Sequence, residues 1–434
     1  MSPEAIKTVL PNGLTIHLKE IHNAPIISHW VWYRVGSRNE VPGLTGISHW
    51  VEHMQFKGTP QFPAGVLDKA ISREGGYWNA FTYLDWTAYF ETMPAEKIDL
   101  ALRLEADRMV NSVFDPKEVE SERSVIISER EGSENEPLFR LGEAVQTAAF
   151  DRHSYRHEII GLKQDLNTIQ RDDLYHHYQR NYNPAKAVVA VAGDFDAGAM
   201  LARLTELYGG HKKSRPAKFA VRKEPPLKGE RREVVEGPGQ TAYVQVAYRS
   251  PAAASPDFFT VTVLDSLLTG PTSLNMFGGG GISNKTSRLY RALVERELAV
   301  GVSGGLQATI DPFLYDITMT VHPNQTPDAA LAALDGEVKR IQDELVTPAE
   351  IARAVKQARA LFAYGSENIT NQAFWLGYAE MFANYDWFVQ YVERLETVTP
   401  QDVQRIAQSY LSPANRVVGI YLPTGEEAQE DEQE

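Results

Sequence analysis

The segment Phe114-Asp115-Pro116-Lys117-Glu118-Val119 returns, in other letters, as Val346-Thr347-Pro348-Ala349-Glu350-Ile351. In both, one helix stops, an Asp or Thr stands as cap, and Pro opens the next helix, where its missing N–H is no loss. Working outward, further landmarks recur at the same offset of about 230 residues. Thr168-Ile169-Gln170-Arg171-Asp172-Asp173-Leu174 matches Thr397-Val398-Thr399-Pro400-Gln401-Asp402-Val403. Then come Tyr182-Asn183-Pro184-Ala185 and Leu411-Ser412-Pro413-Ala414, followed by the β-rich runs Val188–Val191 and Val417–Ile420. Each half opens on strand-like alternation, Leu14-Thr15-Ile16-His17-Leu18 and Ala242-Tyr243-Val244-Gln245-Val246, and helices of period 3.6 fill its middle. One unit is therefore written twice. The reading is an α+β fold of two homologous domains, each an antiparallel-rich sheet with helices packed on one face.

The boundaries follow from composition. The first domain spans 1–210. A linker at 211–232 is rich in Lys and Arg and holds Pro216, Pro225 and Pro226. The second domain spans 233–424, and an acidic tail fills 425–434. A length of 434 residues suits two cores better than one. The net charge of −14, with no aromatics among the linker's cations, argues against a nucleic-acid partner. There is no apolar run long enough to span a membrane. Cys is absent, which removes disulfides and thiolate metal sites. The first residues, Met1-Ser2-Pro3-Glu4, lack the pattern of a signal or transit peptide, so the expected location is cytoplasmic.

Chemistry concentrates in Ser48-His49-Trp50-Val51-Glu52-His53-Met54. On a helix capped by Thr45 or Ser48 and ended by Gly58, His49 and His53 share one face with Glu52 beside them. Ile47, Trp50, Val51 and Met54 then face a core. Two imidazoles one turn apart can hold one Zn²⁺, with the adjacent carboxylate as general base. This H-x-x-E-H order is the inverted form of the better-known zinc helix. A third ligand has to come from another element. The helix opened by Pro116 offers Glu118, Glu122 and Glu129 on one face. Glu122 and Glu129 lie about 10 Å apart along the axis, so only one of them can ligate.

At this point the chain resembles the pitrilysin/insulinase family, which includes the mitochondrial processing peptidases. The resemblance rests on Leu10-Pro11-Asn12-Gly13-Leu14, His49 to His53, Phe56-Lys57-Gly58-Thr59, Gly75-Gly76-Tyr77-Trp78-Asn79-Ala80-Phe81-Thr82 and Glu122 to Glu129. It implies two α+β domains forming half of a clamshell chamber, with one zinc ion held by His49, His53 and Glu129. It also implies Glu52 as general base, and Glu122 as a supporting residue that does not ligate. Asn79, Ala80, Phe81 and Thr82 would form an edge strand to which an extended peptide substrate adds by backbone pairing. The implied activity is zinc-dependent endopeptidase action on peptides or unstructured segments, by metal-activated water. Respiratory bc₁ core proteins share this fold without metal, so a non-catalytic structural subunit is the alternative.

One departure bears on assembly. Active relatives carry an Arg and a Tyr seven residues apart in the second domain, which bind the substrate carbonyl. Those positions here read Leu293 and Val300, while Arg288 and Tyr290 occupy packing positions. Two explanations compete: a weak or altered peptidase, or, the expectation favoured here, a homologous second subunit that supplies the Arg/Tyr pair, as the resemblance to heteromeric relatives implies. The second half also lacks a His pair: near its equivalent stands Phe277-Gly278-Gly279-Gly280-Gly281. That glycine run resembles a substrate-handling loop of processing-peptidase subunits, although a plain turn explains it more simply.

Overall fold

A computed structural model describes residues 5–212, 221–274 and 283–425. The glycine run Gly278 to Gly281, residues 213–220 of the expected linker and residues 426–434 of the tail lie outside the described residues.

The first half runs β1 (Ile6–Val9), β2 (Thr15–Glu20), β3 (Ile26–Tyr33), α1 (Ile47–Met54), α2 (Val66–Arg73), β4 (Tyr77–Thr82) and β5 (Thr87–Pro94). It continues through α3 (Asp99–Asn111), α4 (Pro116–Glu134), α5 (Pro137–Ala149), α6 (Lys163–Leu166), α7 (Arg171–Asn181), β6 (Ala187–Gly193) and α8 (Ala197–Tyr208). The second half runs β7 (Arg231–Gly237), β8 (Tyr243–Arg249), α9 (Asp257–Leu268), β9 (Ala299–Leu306), β10 (Leu314–Val321) and α10 (Pro327–Asp343). It closes with α11 (Pro348–Tyr364), α12 (Ile369–Phe382), α13 (Tyr385–Val389), α14 (Tyr391–Glu396), α15 (Pro400–Tyr410) and β11 (Arg416–Pro423).

The repeated helix openings form as capping chemistry demands. Asp115 Oδ1 accepts the Lys117 N–H at 2.8 Å to start α4. Thr347 and Glu350 close a reciprocal box on α11, and Thr399 and Asp402 do the same on α15. The second sheet then repeats the order of the first, without a counterpart of the edge strand β1. The first reads β1-β2-β6-β3-β5-β4 and the second β7-β11-β8-β10-β9. In each, one parallel pair, β2 with β6 or β7 with β11, adjoins antiparallel neighbours. The fold is therefore the two-sheet α+β architecture expected.

The compact units do not follow the chain. One comprises Met1–Arg130, His157–Arg222 and Ser366–Phe388; the other comprises Glu131–Arg156, Lys223–Gly365 and Val389–Glu434. The halves exchange a helix: α12 packs on β3 and β6 of the first sheet, while α5 packs on β11, β7 and β8 of the second. The exchange covers a second face of each sheet, in addition to the helices expected on one face. In β3, Val31 and Tyr33 belong to the first unit's main core. Trp30 and Trp32 project the other way, where Phe374 of α12 meets both edge-on, at 5.5 and 5.3 Å. The strand is buried on both faces from Ile27 to Tyr33, with the polar Ser28 and His29 enclosed among its apolar residues.

By element order the partner of α1 is α9. Its residues after Asp257 are all buried, and it carries no histidine. The constant offset misplaced this equivalence onto Phe277–Gly281, because the loops between matched elements differ in length.

Candidate metal centre

α1 buries Ile47, Trp50, Val51 and Met54 at 2% exposure or less, which leaves His49, Glu52 and His53 for its other side. The two imidazoles sit edge to face, with centroids 4.6 Å apart. Across from them, α4 buries Val119 and Ile126, seven residues apart, while Val125 is exposed. That packing turns Glu122 and Glu129 toward α1.

The structure brings three donor atoms together. Glu129 Oε2 lies 3.9 Å from His49 Nε2 and 3.7 Å from His53 Nε2. One ligand atom from each residue falls within 4.8 Å of the others, the one such trio among the described residues. A tetrahedral zinc site with arms of about 2.0–2.1 Å has edges of about 3.4 Å, so the two edges from Glu129, at 3.9 and 3.7 Å, are within a few tenths of an ångström of those such a site needs. Side-chain exposures of 14% for His49, 20% for His53 and 48% for Glu129 leave one side open to solvent, as a catalytic site requires.

The groups behind the donors are ordered as ligation needs. His53 Nδ1 lies 2.9 Å from Glu122 Oε2, which directs Nε2 toward the trio. Burial would raise the Glu122 carboxyl, but hydrogen bonds from Lys57 and His53 hold it below its usual range. Lys57 also reaches Glu118, at 3.3 Å. Burial, aided by the nearby His53, pushes the His49 imidazole down to about 3, so it is neutral and able to ligate. Burial likewise pushes Glu52 up to about 7, against the opposing pull of Thr82 and His53. Glu52 Oε2 is buried and has no hydrogen-bond partner. A carboxyl poised near neutrality beside an open site suits proton transfer.

Among the described residues β4 is the sheet edge, paired with β5 alone, from Tyr77 opposite Thr92 to Thr82 opposite Thr87. Asn79 is exposed; Ala80 and Thr82 are buried and Phe81 is half-buried. The Asn79 carboxamide oxygen accepts the Ala80 N–H at 2.8 Å.

Two expectations about α1 need correction. Neither Thr45 nor Ser48 caps it: Gly46, at φ 85°, occupies the N-cap without a side-chain bond. The carboxylate of Glu40 does that work, accepting the Gly46 N–H at 2.8 Å and the Ser48 N–H at 2.9 Å. The helix ends at Met54, ahead of Gly58. Sequence reasoning also gave Lys57 no role; it lies three residues past the end of α1, where its ammonium reaches the Glu122 carboxylate. No local pattern marks Glu40, because it caps across a loop.

In the second unit, Arg288 is bound to Glu350 at 2.8 Å. Leu293 is fully buried, and Val300 stands 55% exposed on β9.

Comparison with known proteins agrees with this architecture. Residues 15–162 match the model described as Insulinase (Peptidase family M16), and residues 168–358 match the Peptidase M16 inactive domain. An uncharacterized zinc protease of Streptomyces coelicolor is 27% identical over 425 residues, 95% of this chain and 89% of that protein. A mitochondrial-processing peptidase subunit beta of Lentinula edodes is 25% identical over 413 residues, 93% of this chain and 87% of that one. The crystal structure of a protease from Helicobacter pylori superposes with a TM-score of 0.90 at 25% identity, covering 98% of this chain and 100% of that one. Among the described residues, no helix is long and apolar enough to cross a membrane.

Proposed function

The chain belongs to the insulinase family of peptidases, M16, and from that premise we propose that it is a zinc-dependent endopeptidase with His49, His53 and Glu129 as ligands. The observation that carries the proposal is the convergence of two imidazole nitrogens and one carboxylate oxygen beside the buried Glu52. Zinc, when bound, supplies Lewis acidity for polarising a scissile carbonyl and acidifying water. Glu52 takes the proton of the attacking water and delivers it to the leaving amine. Glu122 holds His53 in its ligating orientation. Asn79 through Thr82 offer the open side of β4 to an extended peptide, which would displace the Asn79 carboxamide from the Ala80 N–H.

The second part of the proposal concerns a partner. Leu293 and Val300 cannot hydrogen-bond a substrate carbonyl, and Arg288 is engaged by Glu350. A homologous subunit supplying an Arg/Tyr pair completes the site in this reading.

Metal analysis and a peptide-cleavage assay, run on the chain alone and with candidate paralogues, test both parts. Cleavage that a chelator abolishes, together with an inactive Glu52→Gln that keeps its zinc, supports the assignment. Equal cleavage by Glu52→Gln refutes the base. A chain that binds no zinc and stays inactive beside its partner is a structural subunit instead.

A further inference from the structure

The helices that bring the donors together, α1 and α4, are fastened to one stretch of chain. We infer that residues 157–169 act as a bracket that sets the separation between the histidines of α1 and Glu129 of α4, and thereby the affinity of the metal site. The inference rests on the zinc reading above.

On the α1 side, His157 Nε2 lies 2.9 Å from Glu40 Oε2, the carboxylate that caps α1 one residue ahead of His49. Asp165 Oδ2 accepts the Gly43 N–H at 3.2 Å, the Thr45 N–H at 3.1 Å and the Thr45 hydroxyl at 2.7 Å. The Leu162 N–H donates to Thr45 Oγ1 at 2.9 Å. The backbones of the two loops touch: a Cβ on Gly46 would strike the Ile160 carbonyl, and one on Gly161 would strike that of Thr45. Both glycines have positive φ, 85° each, so both the space and the conformation exclude a side chain.

On the α4 side, Arg130 Nη1 donates to the Gly161 carbonyl at 3.1 Å. Arg123 donates to the Leu166 and Ile169 carbonyls, the latter at 2.8 Å, and its guanidinium lies 4.7 Å over Trp50 of α1. Each arginine directly follows an acid of the site, Arg123 after Glu122 and Arg130 after Glu129. Anchoring them fixes the rotation of α4 about its axis and so the direction of both carboxylates. Glu40, Asp165, His157 and Arg130 are all buried, where such bonds are strong and costly to leave unmade. A zinc site tolerates about 0.2 Å in ligand distance, so slack in the bracket reaches the donors directly. These are positioning residues: none is among the donors.

The test uses the full chain and four variants: Asp165→Asn, Arg130→Gln, Arg130→Lys and, as control, Glu380→Gln. The control breaks an ion cluster in the same unit that involves no bracket residue. Zinc dissociation constants come from chelator competition, donor geometry from the visible spectrum of the cobalt-substituted protein, and folding from apo melting temperatures. Asp165→Asn and Arg130→Gln are expected to weaken zinc by about 10–100-fold and to alter the cobalt spectrum, as loss of supporting residues does. Arg130→Lys should recover part of the loss, and Glu380→Gln should lower the melting temperature with the zinc constant unchanged. Should Asp165→Asn not fold, Arg130→Gln decides. Zinc constants of the bracket variants indistinguishable from wild type overturn the inference, as does an equal weakening in Glu380→Gln. Absence of zinc binding by the wild-type chain sinks the zinc reading itself.

Discussion

Replacing Glu122 by Ala isolates what the groups behind the proposed ligands contribute. Glu122 is 6% exposed and makes two charged contacts, with His53 Nδ1 at 2.9 Å and with the Lys57 ammonium. Its removal frees the His53 ring to rotate. It also leaves Lys57, whose side chain is 25% exposed, with Glu118 at 3.3 Å as its remaining acid here, so an under-compensated cation stays beside the proposed metal site. Loss of a supporting partner costs about 10–100-fold in metal affinity, or about 1.4–2.7 kcal/mol. The added cation places Glu122→Ala toward the upper end. Glu122→Gln keeps an acceptor oxygen for His53 and belongs near tenfold. Coupling Glu122→Ala with Lys57→Met should recover the part due to the stranded charge, a non-additivity that a double-mutant cycle measures. The assay is zinc competition with a chromophoric chelator, with circular dichroism as a check on folding. A folded Glu122→Ala that binds zinc as tightly as wild type refutes the argument that Glu122 orients His53.

Other outcomes follow from the same geometry. Burial would raise Glu380, but hydrogen bonds from His17 and Lys7 hold it down at about 2, well below its ordinary value of 4.5. A depressed carboxyl stabilises above its unfolded pKa and loses that contribution as pH falls through the folded one. The Glu380 share, on the order of 3 kcal/mol, should therefore fade between about pH 4.5 and 2. Urea midpoints of wild type and Glu380→Gln should converge over that range, and a constant gap contradicts the reading. A Cβ at Gly377 of α12 would run into the Trp32 indole of β3, so Gly377→Ala should cost about 1–3 kcal/mol in chemical denaturation; no change would mean that α12 does not dock as described. Finally, the isolated chain should cleave peptides far more slowly than its complex with a subunit carrying Arg and Tyr, and full activity alone would remove the need for that partner.

Local rules account for what the residues alone disclosed. Capping reaches three or four positions along the chain, so Asp115, Thr347 and Thr399 announce helix starts that the structure contains. Helical periodicity places His49, Glu52 and His53 together on α1 and puts three glutamates on one face of α4. Alternation marks β2 and β8 before any pairing is known.

Contacts between distant residues decided the rest. Periodicity on α4 left Glu118, Glu122 and Glu129 as equals, and resemblance chose among them. The packing of α4 against α1 sets Glu129 within 3.9 Å of both histidines and sends Glu122 to the far nitrogen of His53. The exchange of α5 and α12 between the sheets is silent in the repeat, because both helices occupy equivalent places in each half and their destinations differ only in three dimensions. The cap from Glu40 and the bracket at 157–169 are invisible for the same reason: His157 meets Glu40 across 117 positions, a distance over which no periodic pattern carries information. The sequence by itself therefore determined the elements, the repeat and the candidate ligands. Only the tertiary structure decided which side chains meet, because those bonds depend on how separate segments pack.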